Sequence, residues 1–257
     1  MSDIRLVCVD VDGTISDRFL EPTVPGAASA LDKIRERRVL RLVTNATSVP
    51  HRTLAEMLRE QGLLAEPGEL VTPATAARRV LTERGQDSGL LLADEAARED
   101  FGWFTEDPSG RAVLLATEGH GLKIADLQPA FRLLLAGAPL YTLQQNRYFR
   151  KGSDLVTDLG PVAAFLAYAS DREVANLGKP SPLLFENLAR DAGCGLDEAV
   201  MVGDDAEFDA SGSVAIGMRG ILVRTGKYRA GDERRFTPPP TATLDSVADL
   251  PDWLGLE

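Results

Sequence analysis

Short apolar runs alternate along the chain with longer segments whose apolar residues recur at helical spacing. Near-continuous apolar runs are typical of strands that are buried on both faces, whereas a spacing of three to four residues is typical of helices. Alternation of the two predicts an α/β protein with a parallel sheet covered by helices. Strands are predicted at 4–9, 39–44, 173–178, 198–203 and 220–225, and helices at 26–38, 51–62, 181–193 and 208–217.

The middle of the chain has an alternation of its own, which is long enough for a separate small α/β domain. We therefore predict a core domain made of residues 1–72 and 176–257, with an inserted α/β cap domain at 73–175. Within the cap, helices are predicted at 72–85, 127–137 and 161–171, and strands at 89–93 and 112–117.

Composition narrows the classes of partner. The chain has 257 residues and a formal net charge of −11, which disfavours nucleic acid and anionic membranes. No apolar run is long enough to span a bilayer, and the N-terminus has no basic region followed by an apolar core. The two cysteines, Cys8 and Cys194, make no disulfide framework, so a cytoplasmic location is expected. The two histidines, His51 and His120, lack the spacing of a zinc site.

Polar residues follow four of the predicted strands directly. In a parallel α/β sheet, ligands bind outside the carboxyl ends of the strands. A single aspartate there is most often a helix cap or a turn residue, but four such strand ends together predict one shared site. The residues are Asp10 and Asp12 after the first strand, Thr44 and Asn45 after the second, Lys179 within Gly178–Pro180 after the third, and Asp204, Asp205 and, a turn later, Asp209 after the fourth.

These residue types predict phosphoryl chemistry. Clustered carboxylates repel one another unless a cation lies between them, and hard oxygen ligands suit Mg²⁺. Lys179 and the hydroxyl of Thr44 would supply positive charge and a hydrogen bond for an anion. The loop that contains Gly13 is expected to turn its backbone N–H groups toward phosphate oxygens. A metal, a lysine and oxygen donors around one point describe a phosphoryl site.

Asp10 and Asp12 can have distinct roles in such a site. They are two positions apart, so in an extended chain both side chains lie on the same side, while Val11 points into the core. One carboxylate can attack phosphorus and form an aspartyl phosphate. The other can protonate the leaving group and then activate a water molecule.

Four segments of the chain occur in a fixed order: DVDGT at 10–14, LVTN at 42–45, GKP at 178–180 and VGDDAEFD at 202–209. As a set they resemble the motifs of the haloacid dehalogenase superfamily. The insertion between the second and third segments resembles the large C2-type cap of subclass IIA, the NagD-like phosphatases. Further segments resemble the hydrolase domain-containing protein 2 and phospholysine phosphohistidine inorganic pyrophosphate phosphatase groups: VPGA at 24–27, AFRLLLAGAPL at 130–140 and GMRGILVRTGKY at 217–228.

The resemblance implies a Rossmann-like core and an Mg²⁺-dependent phosphatase of a small phosphorylated substrate. It implies that Asp10 is the nucleophile and Asp12 the general acid and base. Lys179, Thr44 and Asn45 would bind the phosphoryl group. The metal would be held by Asp10, the backbone carbonyl of Asp12 and Asp204, with Asp205 and Asp209 orienting metal-bound water.

Two alternatives use the same residues. A phosphoacceptor signalling domain also places carboxylates, a threonine and a lysine around Mg²⁺. However, it needs a long-lived acyl phosphate, so it has no counterpart of Asp12 and needs no cap. A non-catalytic protein with the same fold would have no reason to keep the complete set of motifs.

The cap is expected to cover the site, exclude water and select the substrate. Gln144–Tyr148 is predicted to end a cap strand, from which Arg147 would bind a second anionic group; an exposed loop arginine is the alternative. The leaving group stays open among sugar phosphates, nucleotides, pyridoxal phosphate, pyrophosphate and phosphoamino acids. A homodimer formed through the cap also stays open.

Overall fold

A computed structural model of the protein describes residues 4–16, 23–47, 49–151 and 154–256. Strands and α-helices alternate along this part of the chain, as the hydrophobic pattern predicts. The strands are β1 Leu6–Val9, β2 Val39–Val43, β3 Leu70–Val71, β4 Ser88–Ala93, β5 Thr105–Glu106, β6 Ala112–Ala116, β7 Leu140–Thr142, β8 Tyr148–Lys151, β9 Asp154–Thr157, β10 Val174–Asn176, β11 Ala199–Gly203, β12 Arg219–Val223 and β13 Ala242–Leu244. The α-helices are α1 Ala27–Arg35, α2 His51–Glu60, α3 Pro73–Glu83, α4 Gln128–Leu135, α5 Leu159–Ser170, α6 Pro182–Asp191, α7 Gly212–Ala215 and α8 Leu250–Trp253.

The structure divides into two compact units, each with its own parallel sheet. The core unit comprises Met1–Thr44, Leu54–Val71 and Lys179–Glu257, and the insert unit comprises Asn45–Thr53 and Thr72–Gly178. Within the insert unit, the backbone N–H of His51 donates to the carboxylate of Asp100 at 2.9 Å, which attaches the first short segment to the second. The domain boundaries from the sequence, with a cap at 73–175, remain a prediction.

The sheet of the core unit has the order β13-β12-β11-β1-β2-β3, and these strands are all parallel. β1 and β11 are buried along their whole length, which explains why their sequences are continuous apolar runs. From β1 the chain adds β2 and β3 on one side, and later β11, β12 and β13 on the other. The strand order therefore reverses between β1 and β11, and a crevice at such a reversal is a favoured place for ligands.

The first helix shows how local sequence sets the boundaries of an element. α1 begins after Gly26, which has φ +82°, a left-handed conformation that glycine adopts without steric cost. Its last residue, Arg35, donates from Nε to Glu69 at 2.9 Å, and a cation there also suits the helix dipole. The buried face of the helix consists of Ala27, Ala30, Leu31 and Ile34.

The insert unit has a second parallel sheet with the order β10-β7-β6-β4-β5. α4 and α5 pack against it through an apolar cluster that includes Leu115, Leu134 and Leu166. β8 and β9 form a separate antiparallel pair. No helix in the described part of the chain is both long enough and apolar enough to cross a membrane.

One predicted strand belongs to the other sheet. The strand predicted at 173–178 was grouped with the core, but β10 pairs with β7 of the insert unit, with Val174 opposite Leu140 and Asn176 opposite Thr142. A short apolar run indicates a strand but carries no information about which strand it pairs with. Lys179 therefore follows a strand of the insert sheet and not, as predicted, a strand of the core sheet.

The remaining differences concern short elements. The helix predicted at 208–217 begins earlier, as a π-helical segment at Ala206–Ser211, and continues as α7. β3 and β13 were not predicted, because two or three residues are too few to show a periodicity. The antiparallel pair of β8 and β9 was also missed.

Tyr141 on β7 offers a test of packing in the insert unit. Its ring is 1% exposed, and its hydroxyl accepts from Nη1 of Arg84 at 3.1 Å and donates to the side chain of Gln86. Tyr141→Phe would leave both partners without this hydroxyl. We expect the free energy of unfolding in urea to fall by about 1–2 kcal/mol.

The matched control is Tyr168→Phe, the same substitution at a tyrosine that is 93% exposed. Its unfolding free energy should stay within about 0.5 kcal/mol of the unmodified protein. Equal effects of the two substitutions would mean that the buried hydroxyl contributes nothing to stability.

Candidate active site

The reversal of strand order brings two of the predicted aspartates together. β1 and β11 end side by side, with Val9 opposite Val202, and the N–H of Asp10 continues the ladder by donating to the carbonyl of Val202 at 2.8 Å. Asp10 is 5% exposed and Asp204, directly after β11, is 1% exposed. Two carboxylates are therefore buried at the carboxyl edge of the sheet, where the sequence predicts them.

Lys179 links this pair of strand ends to a third carboxylate. Its side chain is 3% exposed, and its Nζ forms ion pairs with Asp10 and, at 2.7 Å, with Oδ1 of Asp209. Asp209 lies on the π-helical segment that follows β11 and is 1% exposed. Gly203 makes this approach possible, since a Cβ at that position would overlap the Asp209 carboxylate.

Burial and mutual repulsion disfavour the simultaneous ionisation of the clustered carboxyl groups. Desolvation, followed by the charges of Asp10 and Asp209, raises the pKa of Asp204 from 3.8 to about 8. Desolvation raises the pKa of Asp209 to about 7, although Lys179 opposes the shift. Burial alone would lower the pKa of Lys179, but the carboxylates of Asp10 and Asp209 outweigh it and the pKa is raised. Lys179 therefore stays charged beside Asp10 and Asp209, and the charge of Lys227 also opposes the rise in the pKa of Asp204.

Three carboxylate oxygens, one each from Asp10, Asp204 and Asp209, lie within 4.8 Å of one another. Oδ1 of Asp204 is buried and has no hydrogen-bond partner in the described part of the chain. An orphaned buried oxygen among like charges is costly unless a cation binds it. The donor set is made of hard oxygens, so the residues fit Mg²⁺.

The loop after β1 differs from the sequence-based expectation. Its N–H groups were predicted to face a phosphate, but that of Gly13 donates to the carbonyl of Ser16 at 2.7 Å. Those of Thr14, Ile15 and Ser16 all point to the carbonyl of Val11, at 3.1–3.3 Å. Gly13 serves another purpose, since a Cβ there would overlap Oδ2 of Asp204. The glycine admits a carboxylate, and the prediction that its loop cradles phosphate was wrong for these N–H groups.

The site is also contacted by the loop after β12, which the sequence analysis did not identify. The backbone N–H of Lys227, after β12, donates to Oδ2 of Asp204 at 2.6 Å. The hydroxyl of Thr225 donates to the carbonyl of Gly13 at 2.5 Å. The only sequence signal was the resemblance carried by GMRGILVRTGKY, because contacts made by a backbone amide leave no mark on residue type.

The other predicted residues lie as follows. Thr44 directly follows β2, is 3% exposed, and belongs to the same edge of the core sheet. Asp12 is half-buried, two residues after Asp10. Asn45 lies in the insert unit, where its side-chain oxygen is so close to Gly178 that a Cβ there would be 2.7 Å away. The catalytic and phosphate-binding roles of these residues stay predictions.

Asp205 has a structural role in addition to the predicted one. Its Oδ1 accepts from the N–H groups of Glu207 at 3.0 Å and Phe208 at 3.1 Å, which caps the π-helical segment. Its own N–H donates to Oδ2 of Asp209 at 3.2 Å. Asp205 therefore helps to fix the backbone that presents Asp209.

Arg147 lies in the insert unit, in the connection between β7 and β8, and its side chain is exposed. Gln144–Tyr148 thus follows a strand, with Tyr148 already beginning the next one. The carbonyl of Arg147 accepts from the N–H of Asp158 at 3.1 Å, which fixes the backbone there. A role of this arginine in substrate recognition stays a prediction.

Comparison with known proteins identifies the family of the chain. A model of haloacid dehalogenase-like hydrolases matches residues 7–102, and a HAD-hydrolase-like model matches residues 176–250. Human haloacid dehalogenase-like hydrolase domain-containing protein 2 is 41% identical over 98% of this chain and 96% of its own length. The phospholysine phosphohistidine inorganic pyrophosphate phosphatase of Bos taurus is 31% identical over 99% of this chain and 95% of its own.

Solved structures show the same fold. NagD from Escherichia coli K-12 has a TM-score of 0.81 at 23% identity, covering 97% of this chain and 98% of that one. A glycerol phosphate phosphatase from Mycobacterium tuberculosis, in complex with magnesium, has a TM-score of 0.79 at 23% identity, covering 96% of this chain and 76% of that one. The full-length sequence relatives, the two units and the buried aspartate cluster lead to one assignment. The chain belongs to the haloacid dehalogenase superfamily of hydrolases, and it shares the fold of NagD.

Proposed function

We propose that the protein is an Mg²⁺-dependent phosphatase that hydrolyses small phosphorylated compounds through an aspartyl phosphate on Asp10. The observation that carries the proposal is the buried contact of Lys179 with Asp10 and Asp209, beside Oδ1 of Asp204, which has no hydrogen-bond partner among the described residues. An ammonium that contacts two buried carboxylates, beside a third carboxylate that a metal cation would neutralise, suits a phosphate dianion better than a neutral ligand.

The residues would act in two steps. An oxygen of Asp10 attacks phosphorus, the bond from phosphorus to the leaving-group oxygen or nitrogen breaks, and Asp12 donates a proton to the departing atom. Asp12 then takes a proton from a water molecule, whose oxygen attacks phosphorus and releases Asp10 and inorganic phosphate. Lys179 holds Asp10 in place and offsets the charge of the phosphoryl group, which Thr44 and Asn45 would orient.

Mg²⁺ would be held by Asp10, the backbone carbonyl of Asp12 and Asp204, with Asp205 and Asp209 orienting its water ligands. When bound, the cation supplies charge neutralisation for the carboxylates and the phosphoryl oxygens. The chain's own contribution is to bury the ligand set, so that each charge acts in a low dielectric.

The substrate class is a small phosphorylated compound. The names of relatives and of proteins with the same fold include phospholysine, phosphohistidine, pyrophosphate and glycerol phosphate. These share only a phosphoryl group on an oxygen or nitrogen atom of a small leaving group. A panel of phosphorylated metabolites, assayed by phosphate release with the purified protein, tests the proposal. The absence of phosphate release from the whole panel and from p-nitrophenyl phosphate would contradict it.

Self-association remains a prediction. The insert unit exposes apolar side chains on α5, among them Phe165 at 40% and Tyr168 at 93%. Sedimentation equilibrium measures the mass directly, and a homodimer would sediment with twice the mass of one chain.

The metal requirement gives the first test of the mechanism. Excess chelator should abolish phosphate release, and Mg²⁺ should restore it. Ca²⁺ should inhibit, because it takes more oxygen ligands at longer distances and would engage both oxygens of Asp10. Full turnover in excess chelator would exclude the proposed role of the carboxylate cluster.

Substitution of the paired aspartates separates their roles. Asp10→Asn should abolish turnover, since an amide of nearly the same shape is a poor nucleophile. Asp12→Asn should slow turnover by about 10²- to 10⁴-fold. In single-turnover phosphorylation the loss should be smaller for a good leaving group, which needs less proton donation.

The control is Asp32→Asn, at a carboxylate that is 70% exposed on α1, which should leave turnover unchanged. Equal losses for good and poor leaving groups in Asp12→Asn would contradict the role of Asp12 as general acid.

Arg147 can be tested in the same assay. If it binds a remote anionic group of the substrate, Arg147→Ala should raise KM for the natural substrate with little change in kcat. p-Nitrophenyl phosphate lacks such a group and should be hydrolysed as before. An unchanged KM for every substrate of the panel would show that Arg147 does not take part in substrate binding.

A further inference from the structure

We propose that Gly13 and the Thr225–Lys227 loop form a clamp that fixes the Asp204 carboxylate, so that only its Oδ1 is presented to the metal. Gly226 is the central positioning residue of this clamp. The inference rests on the proposed metal-dependent function. It adds the backbone contacts that position one of the proposed metal ligands, Asp204.

The two glycines contact the same carboxylate oxygen. A Cβ at either Gly13 or Gly226 would overlap Oδ2 of Asp204. The two loops also touch each other, since a Cβ at Gly226 would lie 2.6 Å from Cα of Gly13. Gly13 has φ +85° and Gly226 has φ +53°, so both backbones also adopt left-handed conformations. Glycine is therefore favoured at each position for two reasons: a side chain would overlap Asp204, and the backbone has a positive φ.

Two hydrogen bonds complete the clamp. The N–H of Lys227 donates to Oδ2 of Asp204 at 2.6 Å, and the hydroxyl of Thr225 donates to the carbonyl of Gly13 at 2.5 Å. The first holds the carboxylate and the second ties the two loops together. The donor to Asp204 is a backbone amide, while the Lys227 side chain is 63% exposed and reaches Oδ2 of Asp205 at 3.5 Å.

The clamp has a physical purpose in this cluster. Without a cation, the carboxylates of Asp10 and Asp209 repel that of Asp204, which would otherwise rotate or swing away. Rotation would break the Lys227 hydrogen bond and take Oδ2 out of the space that the two glycines leave for it. Oδ2 is thus committed, and the buried Oδ1 is left without a partner in the described residues. Partners that orient metal ligands in this way commonly determine metal affinity.

Gly226→Ala tests the clamp through metal binding rather than activity. Isothermal titration with Mg²⁺ and paramagnetic resonance titration with Mn²⁺, both on metal-free protein, would measure the dissociation constant. We expect Gly226→Ala to weaken binding by about 10- to 100-fold. Thermal unfolding in excess chelator should show one cooperative transition, which would establish that the variant is folded without metal.

Gly231→Ala is the matched control. Gly231 lies in the same connection and has φ +99°. No atom of the described residues lies within 4 Å of an added Cβ there. Gly231→Ala also places an L side chain at positive φ, but it makes no contact with Asp204. Metal affinity should therefore stay within about threefold of the unmodified protein. The melting temperature in chelator reports the cost of each substitution to the fold, and it should fall less in Gly231→Ala, which adds no steric overlap.

Thr225 provides an independent test should Gly226→Ala not fold. Thr225→Val removes the hydroxyl that ties the loops and should weaken metal binding, whereas Thr225→Ser keeps the hydroxyl and should restore it. Binding at the unmodified affinity in both Gly226→Ala and Thr225→Val would overturn the clamp. Equal weakening in Gly231→Ala would overturn it as well, since general strain would then explain the loss.

The same data separate this inference from the proposed function. Metal binding that depends on Gly226, in a protein that releases no phosphate from any substrate, would support the clamp and contradict the phosphatase. Phosphate release that requires Mg²⁺, with affinity independent of Gly226, would overturn the clamp alone. A protein that binds neither Mg²⁺ nor Mn²⁺ at Asp204 would overturn both.

Discussion

The rest of the site depends on the buried ion pairs of Lys179 with Asp10 and Asp209. Without this ammonium, three carboxylates within 4.8 Å of one another would lose the cation that directly contacts two of them. Breaking such a buried pair by removing one partner typically costs about 3–5 kcal/mol, because the other charge is left uncompensated. The same contact holds Asp10, the proposed nucleophile, so one interaction both stabilises the cluster and orients the carboxylate that would attack phosphorus.

Close approach of backbone to carboxylate is the second constraint. Gly203 makes room for Asp209, while Gly13 and Gly226 make room for Asp204. A side chain at any of the three would displace a carboxylate from the cluster. Each glycine therefore leaves the space that a carboxylate occupies. The backbone around the cluster thus determines where its charges lie. The raised pKa values of Asp204 and Asp209 are the electrostatic consequence of holding these groups so close together.

Much of this arrangement could be predicted because it depends on local pattern. Fully buried parallel strands read as apolar runs, so β1, β2, β11 and β12 were found, and with them the strand ends that carry Asp10, Thr44 and Asp204. Carboxylates at adjacent strand ends also indicated a metal. The prediction failed where an element is too short to show a period, as at β3 and β13. It also failed where backbone N–H groups donate to carbonyls of the same loop, as in the loop of Gly13.

The sequence by itself determined the class of fold, the order of the elements and the residue types that meet at the edge of the core sheet. Periodicity and residue chemistry are local properties, and each can be read from a few neighbouring positions. Only the tertiary structure decided that β10 pairs with β7, so that Lys179 follows a strand of the insert sheet along the chain. It also decided that Gly226 and the N–H of Lys227 meet Asp204. Pairing partners and backbone contacts join residues far apart in the chain, and nothing in their local pattern specifies which of them meet.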